Sequence, residues 1–134
     1  MRGAALCTAA GLVLGGCAGA VTSISTYQPA PGVTEIMRGP IAAAPGHQLV
    51  TGDIVMPPGA PIPPHYHHGE EFLYVIGGST ILSRPGLPDV TLTPGEGLRI
   101  PPGTVHSGRA GPEGLRAVSS WVVPDGKPLR EAVR

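Results

Sequence analysis

Charged side chains are scarce in this 134-residue chain, and their scarcity limits its partners. They make up 13% of the residues, and nine basic groups balance nine acidic groups to a formal net charge of zero. No stretch concentrates Lys and Arg, as binding to nucleic-acid phosphates requires, so we expect no nucleic-acid partner. A disordered chain is not indicated either, because 41% of the residues are hydrophobic and several segments alternate apolar with polar residues.

Only two cysteines are present, Cys7 and Cys17, and both lie near the N-terminus. Before Cys17, one positive charge at Arg2 is followed by an apolar run from Ala4 to Gly16. This run is shorter than the roughly 20 residues of a membrane-spanning helix and is typical of the hydrophobic region of an export signal. Residues 1–16 are therefore predicted to be a signal peptide, and the mature domain, which lacks Cys7, is expected to hold no disulfide.

The predicted signal ends in Leu14-Gly15-Gly16-Cys17, which resembles the bacterial lipobox, where small residues precede a cysteine that is lipidated before cleavage. The resemblance implies lipidation at Cys17 and an exported lipoprotein of the bacterial envelope, facing the periplasm or the cell surface. The lipid would anchor the chain to a membrane without a spanning segment. An ordinary signal peptide with an incidental cysteine, or a short buried helix, is the alternative.

Composition divides the rest of the chain into a tether, one domain and a tail. Residues 17–32 are mostly small or polar and are predicted to be a flexible tether, although Val21 to Tyr27 could instead pair as an edge strand. Residues 33–124 are predicted to form the folded domain, and residues 125–134 are predicted to be a C-terminal tail.

Turn signals separate short apolar segments throughout the predicted domain. The chain has 21 Gly and 17 Pro without the three-residue period of collagen, and these residues divide most of the segments. No segment after the signal keeps a helical period, which predicts an all-β sandwich or barrel. The candidate strands are Thr34–Arg38, Gln48–Met56, His65–His67, Glu71–Ile76, Ser79–Ser83, Val90–Thr93, Gly97–Ile100, Val105–Arg109 and Leu115–Val123.

Three histidines and one glutamate have the spacing of a metal site. On an extended strand, His65 and His67 point to the same face. If the next strand folds back beside the first, Glu71 faces these two imidazoles, and His106 follows the turn Pro101-Pro102-Gly103 further along the chain. Three neutral imidazoles and a carboxylate suit a divalent transition metal such as Fe, Mn, Ni, Cu or Zn, and they leave positions open for a substrate, water or dioxygen.

The two segments that carry these residues resemble the two sequence motifs of the cupin family. The first motif, G-x5-H-x-H-x3-E-x6-G, is matched by Gly59, His65, His67, Glu71 and Gly78. The second motif, G-x5-P-x-G-x2-H-x3-N, is matched by Gly95, Pro101, Gly103 and His106, whereas Ala110 stands in place of its final Asn. That Asn is not a metal ligand in the family, so the departure concerns local packing.

The resemblance covers nearly the whole predicted domain. It implies an antiparallel jelly-roll barrel of roughly six to eight strands with the metal ion inside, and a homodimer formed through outer strands. By alternation, Leu73 and Val75 share the inner face with Glu71. The residues between and after them, Phe72, Tyr74 and Ile76, are predicted to face outward, where they could form a subunit contact.

Four further side chains are candidates for supporting the metal or binding substrate: Tyr66, His68, Arg99 and Trp121. His68 is expected on the face opposite to His67, which favours a surface position. Arg99 could bind an anionic substrate but is more simply an exposed residue of the barrel. Trp121 could line the mouth of the barrel, although a position in the core is favoured.

The ligand set leaves three functions open. The first is a mononuclear metalloenzyme of dioxygenase type that acts on a small organic substrate, with a metal-dependent isomerase as a variant. The second is a non-catalytic envelope protein that binds a metal or small ligand, and the third is a purely structural barrel. Hydrolysis is disfavoured, because the sequence shows neither a Ser-His-Asp order nor a separate pair of carboxylates.

Overall fold

The computed structural model describes residues 28–133, and every regular element in this range is a β-strand. The strands in order are β1 (Gly32–Pro40), β2 (His47–Met56), β3 (Pro61–Tyr66), β4 (Glu71–Ser83), β5 (Val90–Leu92), β6 (Gly97–Ile100), β7 (His106–Pro124) and β8 (Glu131–Ala132). All pairings are antiparallel, which confirms the predicted all-β jelly roll. The predicted signal, Cys17 and the alternative edge strand over 21–27 lie outside the described residues. Residues 28–133 include no helix long and apolar enough to cross a membrane.

Strand β7 forms the centre of the sheet, because β2, β3 and β4 all pair with it. Its first residues pair with β3 on one side and with the end of β4 on the other. Residues 115–124 pair with β2 and with the first part of β4. The end of β3 thus meets the start of β7 at the pair His65 and His106, and β4 begins opposite Trp121.

In two places, two neighbouring predicted strands form one continuous strand in the structure. Residues 71–76 and 79–83 both belong to β4, and residues 105–109 and 115–123 belong almost entirely to β7. Glycines that were interpreted as turns instead bend these strands, and the register between β4 and β7 shifts on both sides of Gly78. Gly78 has a φ of 64°, which side chains with a Cβ rarely adopt, so it permits this bend.

Alternation along β4 places apolar side chains on both faces of the sheet. Leu73 and Val75 are buried, as predicted, and pack in the core. Phe72, Tyr74 and Ile76 are about half exposed on the outer face, which confirms their predicted orientation, while the homodimer stays a prediction. The buried hydrophobic residues of the core are Val50, Ile54, Leu73, Val75, Leu82, Leu92, Ile100, Ala110, Leu115, Ala117, Trp121 and Val123.

The C-terminal residues are attached to the sheet. Strand β8 pairs with β3 next to the predicted metal site, with Ala132 opposite His65 and Glu131 opposite Tyr66. The backbone amide of Val133 donates to the carbonyl of Pro64 at 3.1 Å. We call residues 127–133 the C-terminal strap, because they run across the end of β3 where a tail was predicted.

Candidate metal centre

Paired strands and one turn place the three histidines. His65, the penultimate residue of β3, lies directly opposite His106, the first residue of β7, and their ring centroids are 4.3 Å apart. His67 follows the end of β3, and its carbonyl accepts a hydrogen bond of 2.8 Å from the amide of Gly103. The Pro-Pro-Gly turn of the second motif therefore holds the backbone of the first motif in position.

Each imidazole is oriented by a backbone carbonyl. In all three, Nδ1 lies within hydrogen-bond distance of a carbonyl oxygen, which can only accept, so Nδ1 carries the proton and Nε2 is left with its lone pair. A hydrogen bond of this kind fixes both the tautomer and the ring plane of a metal-binding histidine. The bonds run from His65 to Pro63 (2.8 Å), from His67 to Leu129 (2.5 Å) and from His106 to Thr104 (2.9 Å).

The side chains of all four predicted ligands converge in the structure. The candidate ligand atoms of His65, His67 and His106 lie within 4.8 Å of one another, and all three rings are buried. Glu71 Oε2 lies 3.0 Å from Nε2 of His67 and 3.3 Å from Nε2 of His106. We refer to these four residues as the metal cluster.

The route by which Glu71 reaches the cluster differs from the prediction. Strand β4 does not fold back beside β3 but pairs with β5, β6 and β7. Glu71, its first residue, is paired with Trp121 of β7 on one side and with Ile100 of β6 on the other. Glu71 therefore reaches the imidazoles from a strand that is paired with β7 and not with β3.

Two polar atoms in the cluster have no hydrogen-bond partner among the described residues. They are His67 Nε2 and Glu71 Oε2, and both are shielded from solvent. They lie close together, but neither makes a hydrogen bond of acceptable geometry. An unsatisfied buried polar atom costs about 1–3 kcal/mol, and a divalent cation between these atoms would remove that cost for both. The donor set therefore fits a metal ion.

Burial and neighbouring groups shift the pKa values of three side chains of the cluster. Burial would raise the pKa of Glu71, but the close contacts with His106 and His67 and the hydrogen bond from Ser119 outweigh it and hold the pKa well below its usual range. Burial lowers the pKa of His65 to about 4, so this imidazole is neutral at physiological pH. Burial alone would also lower the pKa of His106, but contact with Glu71 and with the carbonyl of Thr104 raises it above its ordinary value.

Ser119 supports the cluster and was not recognised from the sequence. It is fully buried in β7, and its hydroxyl donates a hydrogen bond of 2.5 Å to Glu71 Oε1. This bond turns the other oxygen, Oε2, toward the imidazoles. A serine in a strand carries no distinctive spacing, and only the pairing of β4 with β7 brings Ser119 to Glu71.

Replacing Ser119 with Ala is expected to weaken metal binding without unfolding the protein. The substitution removes one hydroxyl from a buried site, and loss of a partner that orients a ligand lowers metal affinity by about 10–100-fold. Metal titration of the purified variant measures this effect. Ser120→Ala is the matched control, because its hydroxyl contacts Thr51 instead of the cluster. Equal affinities in the two variants would contradict a role for Ser119.

A cavity of about 500 Å³ lies beside the cluster. Its walls are largely apolar and include Ile54, Leu73, Leu82, Ile100, Leu115 and Trp121. Among the described residues that line it, Glu71 and Arg130 are the only Asp, Glu, Lys or Arg side chains. A concave apolar site with a few converging polar groups is typical of a site for a small molecule.

Of the four further candidates, only Trp121 lies at this cavity. Trp121 is buried, so it belongs to the core and the cavity wall at once, and its ring centroid is 5.8 Å from that of His67. Arg99 is exposed and forms a salt bridge with Glu70, away from the cavity. The prediction that Arg99 could bind substrate is therefore not supported, since its guanidinium already pairs with a carboxylate at the surface.

Tyr66 and His68 also lie outside the residues that line the cavity. His68 contacts Glu131 of the C-terminal strap at 3.1 Å, on the side predicted by alternation. The ring of Tyr66 packs edge-on against the ring of His68, with centroids 5.6 Å apart. These two residues attach the strap to the end of β3 and do not contact the cluster.

Fold and cluster together define a small jelly-roll protein with a buried three-histidine group suited to a divalent metal. Residues 52–122, more than half of the chain, match the family described as the cupin domain. The chain belongs to this family. The described residues include Ala110 at the position of the Asn of the second motif, and its side chain is buried in the core. None of the curated proteins matches the sequence significantly.

Solved structures with the same fold include three proteins of different length. A cupin-like protein from Thermotoga maritima is 24% identical, with 75% of this chain and 74% of that chain covered and a TM-score of 0.58. The DMSP lyase DddQ from Ruegeria pomeroyi is 26% identical, with 63% and 43% covered and a TM-score of 0.58. Oxalate decarboxylase from Bacillus subtilis is 20% identical, with 66% and 24% covered and a TM-score of 0.59. This chain thus spans less than half of the lyase and about a quarter of the decarboxylase.

Proposed function

We propose that this protein is a mononuclear metalloenzyme that acts on a small organic substrate. His65, His67, His106 and Glu71 hold the ion, and the adjoining cavity holds the substrate. The observation that carries the proposal is the convergence of three oriented imidazoles and a charged carboxylate beside a cavity of about 500 Å³. The bound ion would supply Lewis acidity and a template for the reactants.

Five divalent metals are candidates for the ion: Fe, Mn, Ni, Cu and Zn. Three imidazoles and one carboxylate suit this borderline group of divalent metals. One of the solved structures with this fold, a Bacillus subtilis oxalate decarboxylase, is described by its Mn(II) centres, at 23% identity and a TM-score of 0.54. Mn(II) is therefore the first ion to test, with Fe(II) next.

Within this proposal, dioxygenase-type chemistry is the reaction that we favour. Every Asp, Glu and His among the described cavity residues belongs to the metal cluster. A reaction that depends on a separate general base therefore finds no such side chain there. A reaction in which the ion orients both reactants needs none. The same observation favours a second candidate, a cupin that binds a small ligand without turnover.

Elemental analysis followed by oxygen uptake tests the proposal. The purified chain is loaded with Mn(II) or Fe(II), its metal content is measured, and oxygen consumption is followed with enol and catechol-like compounds. Substrate-dependent uptake supports the dioxygenase. Turnover without oxygen consumption would indicate an isomerase or lyase instead of a dioxygenase. Metal binding without any turnover would favour the binding protein. A chain that takes up none of the five metals contradicts the metal centre itself.

We also propose that the protein is an exported lipoprotein anchored by Cys17. The support is the sequence alone, namely the apolar run and the small residues before this cysteine. Labelling cells with an alkyne fatty acid should mark the wild-type chain and the control variant Cys7→Ser, whereas Cys17→Ser should remain unlabelled. Equal labelling of Cys17→Ser, or unchanged membrane partitioning of that variant, would contradict the anchor.

A further inference from the structure

The C-terminal strap brings one positive charge to the substrate cavity. Arg130 lines the cavity together with His65, His67 and Glu71. Contacts on both sides fix this part of the strap. The carbonyl of the preceding residue, Leu129, accepts the hydrogen bond from His67, and the following strand β8 pairs with β3. Arg130 is thus tied to the same backbone that carries the metal cluster.

Arg130 makes no side-chain hydrogen bond or salt bridge within residues 28–133. Three other arginines of the described chain do have such partners, whereas Arg84 also lacks one. Arg38 pairs with Glu35, Arg99 with Glu70 and Arg116 with Asp53. The guanidinium of Arg130 is therefore available to a ligand that enters the cavity.

The charges around the cavity favour an anion. Glu71 carries the only carboxylate among the described lining residues, and a divalent ion more than neutralises it. With the ion bound, the guanidinium of Arg130 adds a further positive charge, which no other carboxylate among the described lining residues balances. Neither dioxygen nor a neutral organic molecule offsets this charge, whereas a carboxylate forms a charge-assisted and often bidentate bond with a guanidinium.

We propose that Arg130 binds the anionic group of the substrate, and that the substrate is a small organic carboxylate with an apolar body. The apolar body follows from the cavity walls, in which Leu73, Leu82 and Ile100 provide surface without hydrogen-bonding groups. The carboxylate lies at the strap, and the body extends along these walls toward the cluster. This inference rests on the proposed metalloenzyme function and specifies its substrate class.

Calorimetric titration with pentanoate tests the role of Arg130. The purified chain is loaded with Mn(II), its metal content is confirmed, and pentanoate is compared with its neutral analogue pentanamide. Pentanoate should bind the wild type more tightly than pentanamide does. Arg130→Gln should weaken pentanoate binding by at least about tenfold and leave pentanamide unaffected, because one charge-assisted bond is lost. Arg130→Lys should retain part of the preference for pentanoate.

Lys127→Gln is the matched control, because it removes one positive charge from the same strap at a residue that does not line the cavity. It should bind pentanoate like the wild type. Equal pentanoate binding by Arg130→Gln and Lys127→Gln, at full metal content, overturns the inference and leaves the proposed metalloenzyme intact. If no metal binds, the proposed function fails, and the same comparison in the metal-free chain still decides whether Arg130 holds a carboxylate.

Discussion

Replacing His67 with Ala is expected to abolish stoichiometric metal binding and to leave the barrel folded. No group of the described chain donates a hydrogen bond to Nε2 of this imidazole, so its lone pair is free to bind a metal ion. Its loss removes a ligand, so affinity should fall by more than the roughly 100-fold that loss of a supporting residue causes. Glu71→Ala should have the same effect, because it removes the only carboxylate of the cluster. Elemental analysis after purification without chelators measures the metal content.

His68→Ala provides the control for this result. It removes an imidazole from the adjacent position, but its side chain contacts Glu131 outside the cluster. Its metal content should equal that of the wild type. The free energy of unfolding of the wild type should rise by about 2.7 kcal/mol when free metal is raised to 100 times its Kd. His67→Ala should show no such rise. Wild-type metal content in His67→Ala would show that the assignment of the ligands is wrong.

Gly69→Ala is expected to destabilise the folded protein by roughly 3 kcal/mol, which is large for a single methyl group. Gly69 lies between His67 and Glu71, where a Cβ would overlap the carbonyl of Val122 in β7. The adjacent amide of Val122 donates to the carbonyl of Glu70 at 2.9 Å, so the backbones cannot separate without losing this bond. Denaturant unfolding of the metal-free variant measures the loss of stability.

Gly39→Ala separates this steric effect from the general effect of replacing glycine. A Cβ at Gly39 meets no atom within 4 Å, and neither Gly39 nor Gly69 has a positive φ. Gly39→Ala should therefore change the free energy of unfolding by no more than about 0.5 kcal/mol. The displaced backbone of Gly69→Ala should also weaken metal binding, because His67 and Glu71 flank it. Similar stability of the two variants would contradict the close approach of Gly69 to β7.

Local sequence patterns predicted the residues of the site better than they predicted its architecture. Alternation along β4 correctly placed Leu73 inside and Phe72 outside, because the side chains of a strand alternate wherever one face is buried. Motif spacing correctly selected the four side chains that converge, although it placed Glu71 on a strand beside β3. The choice of β7 as its neighbour depends on contacts far apart in sequence, which periodicity does not contain.

Two supporting features were missed for the same physical reason. Ser119 lies 48 residues from Glu71, and Leu129 lies 62 residues from His67. Each contributes a single hydrogen-bonding atom, and in the case of Leu129 that atom belongs to the backbone, so its residue type carries no signal. At Gly77 and Gly78 a turn was predicted where the structure has a bend within β4. Glycine is common in both, and only the pairing with β7 distinguishes them.

The hydrogen bond between His67 and the carbonyl of Leu129 also sets an order of events during synthesis. Both histidine motifs are complete once the ribosome has translated residue 110, but the acceptor that fixes His67 is added 19 codons later. Metal insertion into an oriented site therefore follows translation of the strap. A nascent chain or truncated product that ends between residues 110 and 128 contains every ligand and still holds one imidazole without its acceptor.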